Sequence, residues 1–486
     1  MIMMPKHKKP EAPVHARSTL RLVLLITCFA CIFAGCDRRV RARREFDGAY
    51  PAEARSTGAV RRFTLDAAPT RIPLLDGQPM DVWAYNGQVP GPSLRVRLGE
   101  TLHVHFTNHL AQATTIHWHG VRLPNAMDGV PGVTQPPVLP GASFDYEFTP
   151  KDAGTFWFHP HLRASEQVER GLFGVLIVED ATPPPYTQDL VWVLDDWLLT
   201  PSGEISSAFN TRHDLAHDGR WGNVITVNGD RHATTNVRPG ERIRLRLLNV
   251  ANGRVFAPDF TGLDAKVVAV DGLYAAHPLP PAGFELAPGN RLDLDITFSE
   301  AQRGQRFAIV DRYGGGANGL AELVVSDAPI STPRFASPAH AHVPAWRDLA
   351  TIPPQADFKL DARAGGELGI EWTINGEAFH HGDHEQPGGH AMPHEIRRIP
   401  LGEFSKLRFV NDSFRIHPMH IHGQFFKVLT RNGQAVDEPF FRDTTLVHPK
   451  ETVEVGIVPL DPGRWMMHCH ILEHAEAGMM TLLDVN

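Results

Sequence analysis

The chain has 486 residues, enough for about three ordinary domains at ~100 to 200 residues each. Hydrophobic residues at 42% and charged residues at 21% are ordinary globular values, while 42 glycines and 40 prolines disfavour long helices and fit a turn-rich β architecture. The formal net charge of -8, with histidines neutral, and the lack of any RNA- or DNA-binding motif exclude a nucleic-acid partner.

Residues 1–36 read as a signal segment. Lys6, Lys8, Lys9, Arg17 and Arg21 precede an apolar run from Leu22 to Gly35, which is about the length of a signal h-region and short for a membrane span. The run closes on Phe33-Ala34-Gly35-Cys36, which resembles a bacterial lipobox. A lipid anchor at Cys36 and a periplasmic or cell-envelope location are therefore expected. Phe33 is unusual at its place, and Arg38, Arg39, Arg41, Arg43 and Arg44 follow. Because basic residues tend to stay on the cytoplasmic side, a plain cleaved signal or an uncleaved anchor is the alternative.

A polar linker, 37–57, leads into alternating runs such as Ser93-Leu-Arg-Val-Arg-Leu98, which read as half-buried strands. One phrase recurs: Thr101-Leu-His-Val-His-Phe-Thr-Asn108, Arg242-Ile-Arg-Leu-Arg-Leu-Leu-Asn249 and Lys406-Leu-Arg-Phe-Val-Asn411. Each follows a glycine-bearing turn, Gly99-Glu100, Gly240-Glu241 or Gly402-Glu403. The spacing, roughly 140 and then 160 residues, matches the domain prior. Linker-like composition falls at Ala181-Thr-Pro-Pro-Pro-Tyr186 and across 328–356. Three sandwich-like β domains in series are expected, at 58–182, 187–327 and 357–486.

Four histidine clusters carry the chemistry: His117-Trp-His119, His159-Pro-His161, His417-Pro-Met-His420-Ile-His422, and His468-Cys469-His470 followed by His474 and Met479. Each holds a His-X-His step, whose side chains share one face of a strand about 6.6 Å apart. A single such pair is weak evidence, and His103 with His105 reads as a chance surface pair. Four pairs, two in the first repeat and two in the third, can converge on one multinuclear metal site.

Of the four cysteines, Cys28, Cys31 and Cys36 lie in the targeting segment, which leaves Cys469 alone in the body. No disulfide framework is possible there, and a lone exported thiol is an oxidation liability unless a metal holds it. Cys469, His474 and Met479 stand five residues apart, and His417 completes two imidazoles and a thiolate with a weak axial methionine, the ligand set of a blue-copper centre. Strand alternation then sends His468 and His470 to the face opposite Cys469. One strand would carry a mononuclear site on one side and a cluster on the other.

These motifs resemble those of the multicopper oxidase family, which includes laccases, bilirubin oxidases and cuprous oxidases, over nearly the whole mature chain. The resemblance implies cupredoxin-like β-sandwich or barrel domains and four copper ions. It places type 1 copper at His417, Cys469, His474 and Met479, and type 2 copper at His117 and His420. One type 3 copper falls at His119, His159 and His470, the other at His161, His422 and His468. It further implies one-electron oxidation of a reducing substrate and reduction of dioxygen to water.

Protons must also be supplied. Asp128 matches the family's assisting acid, although a turn aspartate before Gly129 is the plain alternative. Bacterial relatives often carry an acid directly after the second type 1 histidine. Here that position is Ala475, and Glu476, the next residue, is the candidate second proton donor.

The segment from His380 to His394, with His381, His384, His390 and Met392, reads as a polar loop with metal-binding capacity. Because the third domain has only scattered methionines, phenols and aromatic amines are the expected donors. Cuprous oxidation, or a copper-tolerance role, is the alternative.

Overall fold

The computed structural model describes residues 40–42, 56–75, 77–329, 342–379 and 396–486. Residues 1–36, read above as a signal segment with Cys36 as its anchor, and the histidine-rich stretch 380–394 lie outside them.

The chain is all-β with a few short helices, as its glycine and proline content predicts. Each third of the chain contributes two sheets: two of four strands between Val60 and Glu179, one of six and one of four between Gln188 and Val325, and one of six and one of five between Ala356 and Val485.

The recurring phrase occupies the same place each time. The strand Thr101–Asn108 runs parallel to Val60–Leu74 and antiparallel to Ser143–Phe148. Arg242–Asn249 lies likewise between Gln188–Trp197 and Arg291–Thr297, and Ser405–Asn411 between Ala356–Ala364 and Thr452–Ile457. The closing asparagine explains why the phrase repeats. Asn108, Asn249 and Asn411 each donate Nδ2 to carbonyls of the loops that follow and accept a main-chain N–H two residues on, at 2.9–3.0 Å. A buried side-chain amide thus satisfies backbone groups that the sheet has released.

Period-two burial holds in the first phrase: Leu102, Val104 and Phe106 are buried, while His103 and His105 face outward beside Asp145. In the middle phrase the outward face is covered by the first domain. Arg244 and Arg246 are buried there, and they pair with Asp293 while Arg246 also reaches Asp189. Charges removed from water in this way must be matched.

One hydrophobic cluster joins the first and third domains, with Trp118 and Phe158 on one side and Met419, Ile421 and Cys469 on the other. The histidine-bearing strands end at this junction.

Candidate metal centres

Register places the histidines before any ion does. In the first domain, His117–His119 pairs antiparallel with Gly154–His159, setting His117 opposite His159. In the third, His417–Ile421 pairs with Gly463–Cys469, setting His420 opposite His468 and Met419 opposite Cys469. Two ladders, one from each domain, face each other across the junction.

All eight expected cluster histidines are buried and brought together. His161, His422 and His468 meet through Nε2, with His468 Nε2 at 3.4 and 3.0 Å from the other two. His470 has the rings of His119 and His159 at 4.9 and 5.4 Å. His117 stacks on His422 and His119 on His420, both at 3.8 Å.

The far side of most of these rings is pinned. Nδ1 of His117, His159, His420 and His468 donates to the carbonyls of Asp128, Pro160, Asp443 and Cys469 at 2.7–2.9 Å. Nδ1 of His422 donates to Asp128 Oδ2 at 2.8 Å. This fixes the tautomer that leaves Nε2 as a lone-pair nitrogen. Nε2 of His117, His159 and His420, Nδ1 of His119 and both nitrogens of His470 are buried with no hydrogen-bonding partner. Orphaned inward nitrogens of this number are costly unless a cation takes them. Burial, reinforced by the neighbouring imidazoles, holds His119, His159, His422 and His470 well below the usual histidine range, so the rings are neutral and ready to ligate.

On the opposite face of the strand, Cys469 Sγ lies 3.6 Å from His417 Nδ1 and 3.8 Å from His474 Nδ1, and the two nitrogens are 3.3 Å apart. The alternation read from the sequence thus separates the two sites. His417 Nε2 is hydrogen-bonded to Ser413 Oγ at 2.8 Å, and His474 Nε2 donates to the carbonyl of His217 at 2.7 Å. Burial pushes the Cys469 thiol far up and His474 down to about 3. A thiolate here therefore needs a cation beside it, which a metal supplies. Met479 is buried next to Cys469, whose N–H donates to the Met479 carbonyl at 3.1 Å.

Several supporting groups escaped sequence reasoning. Asp443 accepts from His119 Nε2 at 3.2 Å and receives a bidentate Arg291 from the middle domain at 3.0 and 2.7 Å. Burial alone would raise the Asp443 carboxyl, but Arg291 and His420 bring it down to about 2. Gly289, at φ +88°, roofs the cluster, and a Cβ there would sit 2.9 Å from His119 Cε1. Trp372 lies on the rings of His474 and His417, with centroids 4.1 and 4.9 Å apart. None of these belongs to a recognisable motif.

Asp128 is fully buried against His117 and His422. Glu476 stands on the wall of a cavity of about 20 Å³ together with His159, His161, His468 and Ala475. Its carboxylate accepts from Ser165 N at 2.8 Å and Asn210 Nδ2 at 2.6 Å, and burial raises its pKa. The acid one position beyond Ala475 thus reaches the space that Ala475 itself borders.

Two imidazoles and a single thiolate with a methionine alongside fit copper, and two sites joined by consecutive residues of one strand fit a copper protein built for internal electron transfer. Three multicopper oxidase family models match residues 66–183, 188–326 and 370–486. The multicopper oxidase MmcO of Mycobacterium tuberculosis is 30% identical, with 88% of each chain covered. Laccase-1 of Cryptococcus neoformans is 26% identical over 87% of this chain and 80% of its own. The crystal structure of a multi-copper oxidase from Pseudomonas thermotolerans, 32% identical, covers 88% of this chain and 100% of its own with a TM-score of 0.76. The chain belongs to the multicopper oxidase family and is a copper-dependent oxidoreductase.

Proposed function

We propose that the chain takes electrons singly from a reducing substrate at the Cys469 site and delivers four of them, with four protons, to dioxygen at the histidine cluster, giving water. The observation that carries this is the run His468-Cys469-His470, whose middle residue meets His417 and His474 while its neighbours meet the cluster. Copper when bound supplies one-electron redox change at the thiolate and, at the cluster, several centres able to deliver electrons in quick succession.

The protein's own residues hold the donors and handle protons. Asp128 orients His117 and His422, and its Oδ1, buried without a hydrogen bond, is an acceptor able to hold a proton beside the cluster. Glu476 holds a second proton on the far side, across a cavity with room for about one water from His161 and His468. Asp128→Asn is expected to slow dioxygen uptake roughly 10- to 100-fold while leaving the blue absorption in place. Unaltered turnover would remove its role.

Phenols and aromatic amines are the donors the laccase likeness suggests. A second reading, metal-ion oxidation with Cu(I) foremost, is favoured by the burial of His474 beneath the middle domain, which keeps an organic ring from touching it. Dioxygen uptake by copper-reconstituted protein over phenols, aromatic amines, Cu(I), Fe(II) and Mn(II) ranks the donors. If no donor supports uptake although the blue band is present, the oxidase reading fails and a copper-buffering role replaces it. An envelope location with a lipid on Cys36 belongs to the same proposal and is supported by the signal-like residues 1–36. Mass spectrometry of the mature N-terminus tests it, and an unmodified chain starting after residue 36 would exclude the anchor.

A further inference from the structure

The outer face of the first domain carries a further group of metal-ligating side chains. His103 and His105 alternate with Leu102, Val104 and Phe106, so the apolar side chains enter the core and both imidazoles face outward, about 6.6 Å apart along the strand. Register sets Glu147 opposite His103 and Asp145 opposite His105 on the neighbouring strand, Ser143–Phe148. Asp145 Oδ1 lies between the two rings, 2.9 Å from His105 Nδ1 and 3.6 Å from His103 Nε2, and Glu147 Oε2 lies 3.9 Å from the same His103 nitrogen. The side chains of His105, Asp145 and Glu147 are 47, 57 and 58% exposed, so an ion reaches them from solvent and they close on it without disturbing the core.

The other two domains show what this place in the fold asks for. Counted back from the closing asparagine, the positions of His103 and His105 are Arg244 and Arg246 in the middle phrase and Lys406 and Arg408 in the third. All four are permanent cations matched by carboxylates: Arg244 and Arg246 meet Asp293, Lys406 meets Glu454 at 2.7 Å and Arg408 meets Asp357 at 2.7 Å. The first domain keeps carboxylates on the flanking strand but puts imidazoles where the cations stand. An imidazole brings positive charge there only by taking up a proton or a metal ion. Bonds of about 2.0–2.2 Å at tetrahedral angles put the ligand atoms of one ion about 3.3 Å apart. The three separations around Asp145 and His103 straddle that spacing.

We propose that His103, His105, Asp145 and Glu147 form a surface site for one divalent transition-metal ion, Zn(II) or Cu(II), which clamps two strands of the first domain and is separate from the centres at the domain junction. Imidazole and carboxylate suit both ions, and the affinity order places Cu(II) above Zn(II). The histidine pair that is weak evidence in the sequence gains its remaining ligands from a strand some 40 residues further on.

The test uses the full-length, copper-loaded protein, freed of excess copper and titrated calorimetrically with Zn(II), which is redox-silent. Losing a direct ligand costs at least what an outer-shell partner costs, so His105→Gln should lose one Zn(II) equivalent or bind it roughly 10- to 100-fold more weakly. Asp145→Asn should do the same. Zn(II) taken up by the histidine-rich stretch 380–394 is common to all the proteins and cancels in the difference. Arg62→Gln, which removes a cation from the strand on the other flank of His103, should tighten the site. Because the ion binds the folded chain, one equivalent should raise the Tm of the unsubstituted protein and leave that of His105→Gln unmoved. Superimposable titrations of these two proteins, or a difference confined to millimolar Zn(II), would overturn the proposal and leave the four side chains as ion pairs formed by protonated imidazole.

Discussion

The two metal sites share a strand and are closed in different ways. Around the cluster, ring after ring is pinned by a carbonyl or carboxylate of the first or third domain, and the middle domain stands one step behind, with Gly289 overhead and Arg291, Asp271 and Asn290 bonded to Asp443 and Thr444. At the cysteine site the inner histidine is held by Ser413 of its own domain, but the outer one is held by a main-chain carbonyl of the middle domain. A carbonyl fixes a ring without specifying a side chain. Carbonyls pin four cluster rings as well, but from within the two domains that supply the ligands, whereas the cover over the outer site is a loop segment of the middle domain, where sequence can change and so set which donor is used.

The largest test of this contrast is Arg291→Gln. Arg291 is fully buried between Asp443 and the carbonyl of Asp271, and removing its charge leaves Asp443 uncompensated next to His119 and His420. Breaking a buried pair from one side costs about 3–5 kcal/mol. Chemical denaturation should report a loss of that size, together with weakened copper retention at the cluster and an intact blue band. A loss below about 1 kcal/mol would show that the cluster closes without the middle domain.

Trp372→Phe probes the other closure. It keeps a ring over His474 but deletes the bond to the Leu215 carbonyl, an expected loss of about 1–2 kcal/mol. The short helix Arg212–Ala216, which carries Leu215 and leads into His217, is then held less firmly, so turnover of a bulky phenol should rise relative to that of Cu(I). Phenol turnover that does not move would mean the helix is seated by other contacts.

The difference between the sites also decides how much was legible in sequence. His-X-His steps and the lone Cys469 could be read because strand alternation has period two, so identity and spacing alone assign faces. The three β units were legible from their repeated phrase, although the work of Asn108, Asn249 and Asn411 was not, since their partners lie in loops up to 37 residues away. Asp443 and Arg291 meet across 152 residues, with nothing local to mark either. The His217 carbonyl could not be read at all, because every residue has one. Glu476 was found one step beyond the expected position, and only the cavity wall shows that it reaches the same space.

The smallest expected effect concerns how the middle domain is seated at a point apart from both sites. His448 Nε2 and Glu285 Oε2 lie 3.0 Å apart between the third and middle domains, with side chains 42% and 38% exposed. The bond to Glu285 raises the His448 pKa against partial burial, and the same bond lowers that of Glu285. A raised histidine value means that its contribution is complete below the unfolded value near 6.5 and is lost as pH rises through the folded value. The lowered glutamate value means that its contribution is present above an unfolded value near 4.3 and is lost as pH falls through the folded one. Stabilisation is therefore confined to weakly acidic pH, and at this exposure it is worth less than about 1 kcal/mol and weakens with salt. His448→Gln should lower Tm slightly near pH 5.5 and not near pH 8.5. A deficit that persists at the higher pH would mean that the neutral hydrogen bond, not the charge pair, joins the domains. Measured in the same variant, the ratio of phenol to Cu(I) oxidation separates two ways of holding the cover over His474. A constant ratio means the helix is held by Trp372 and His474 themselves, and a shifted one means it follows the docking of the whole domain.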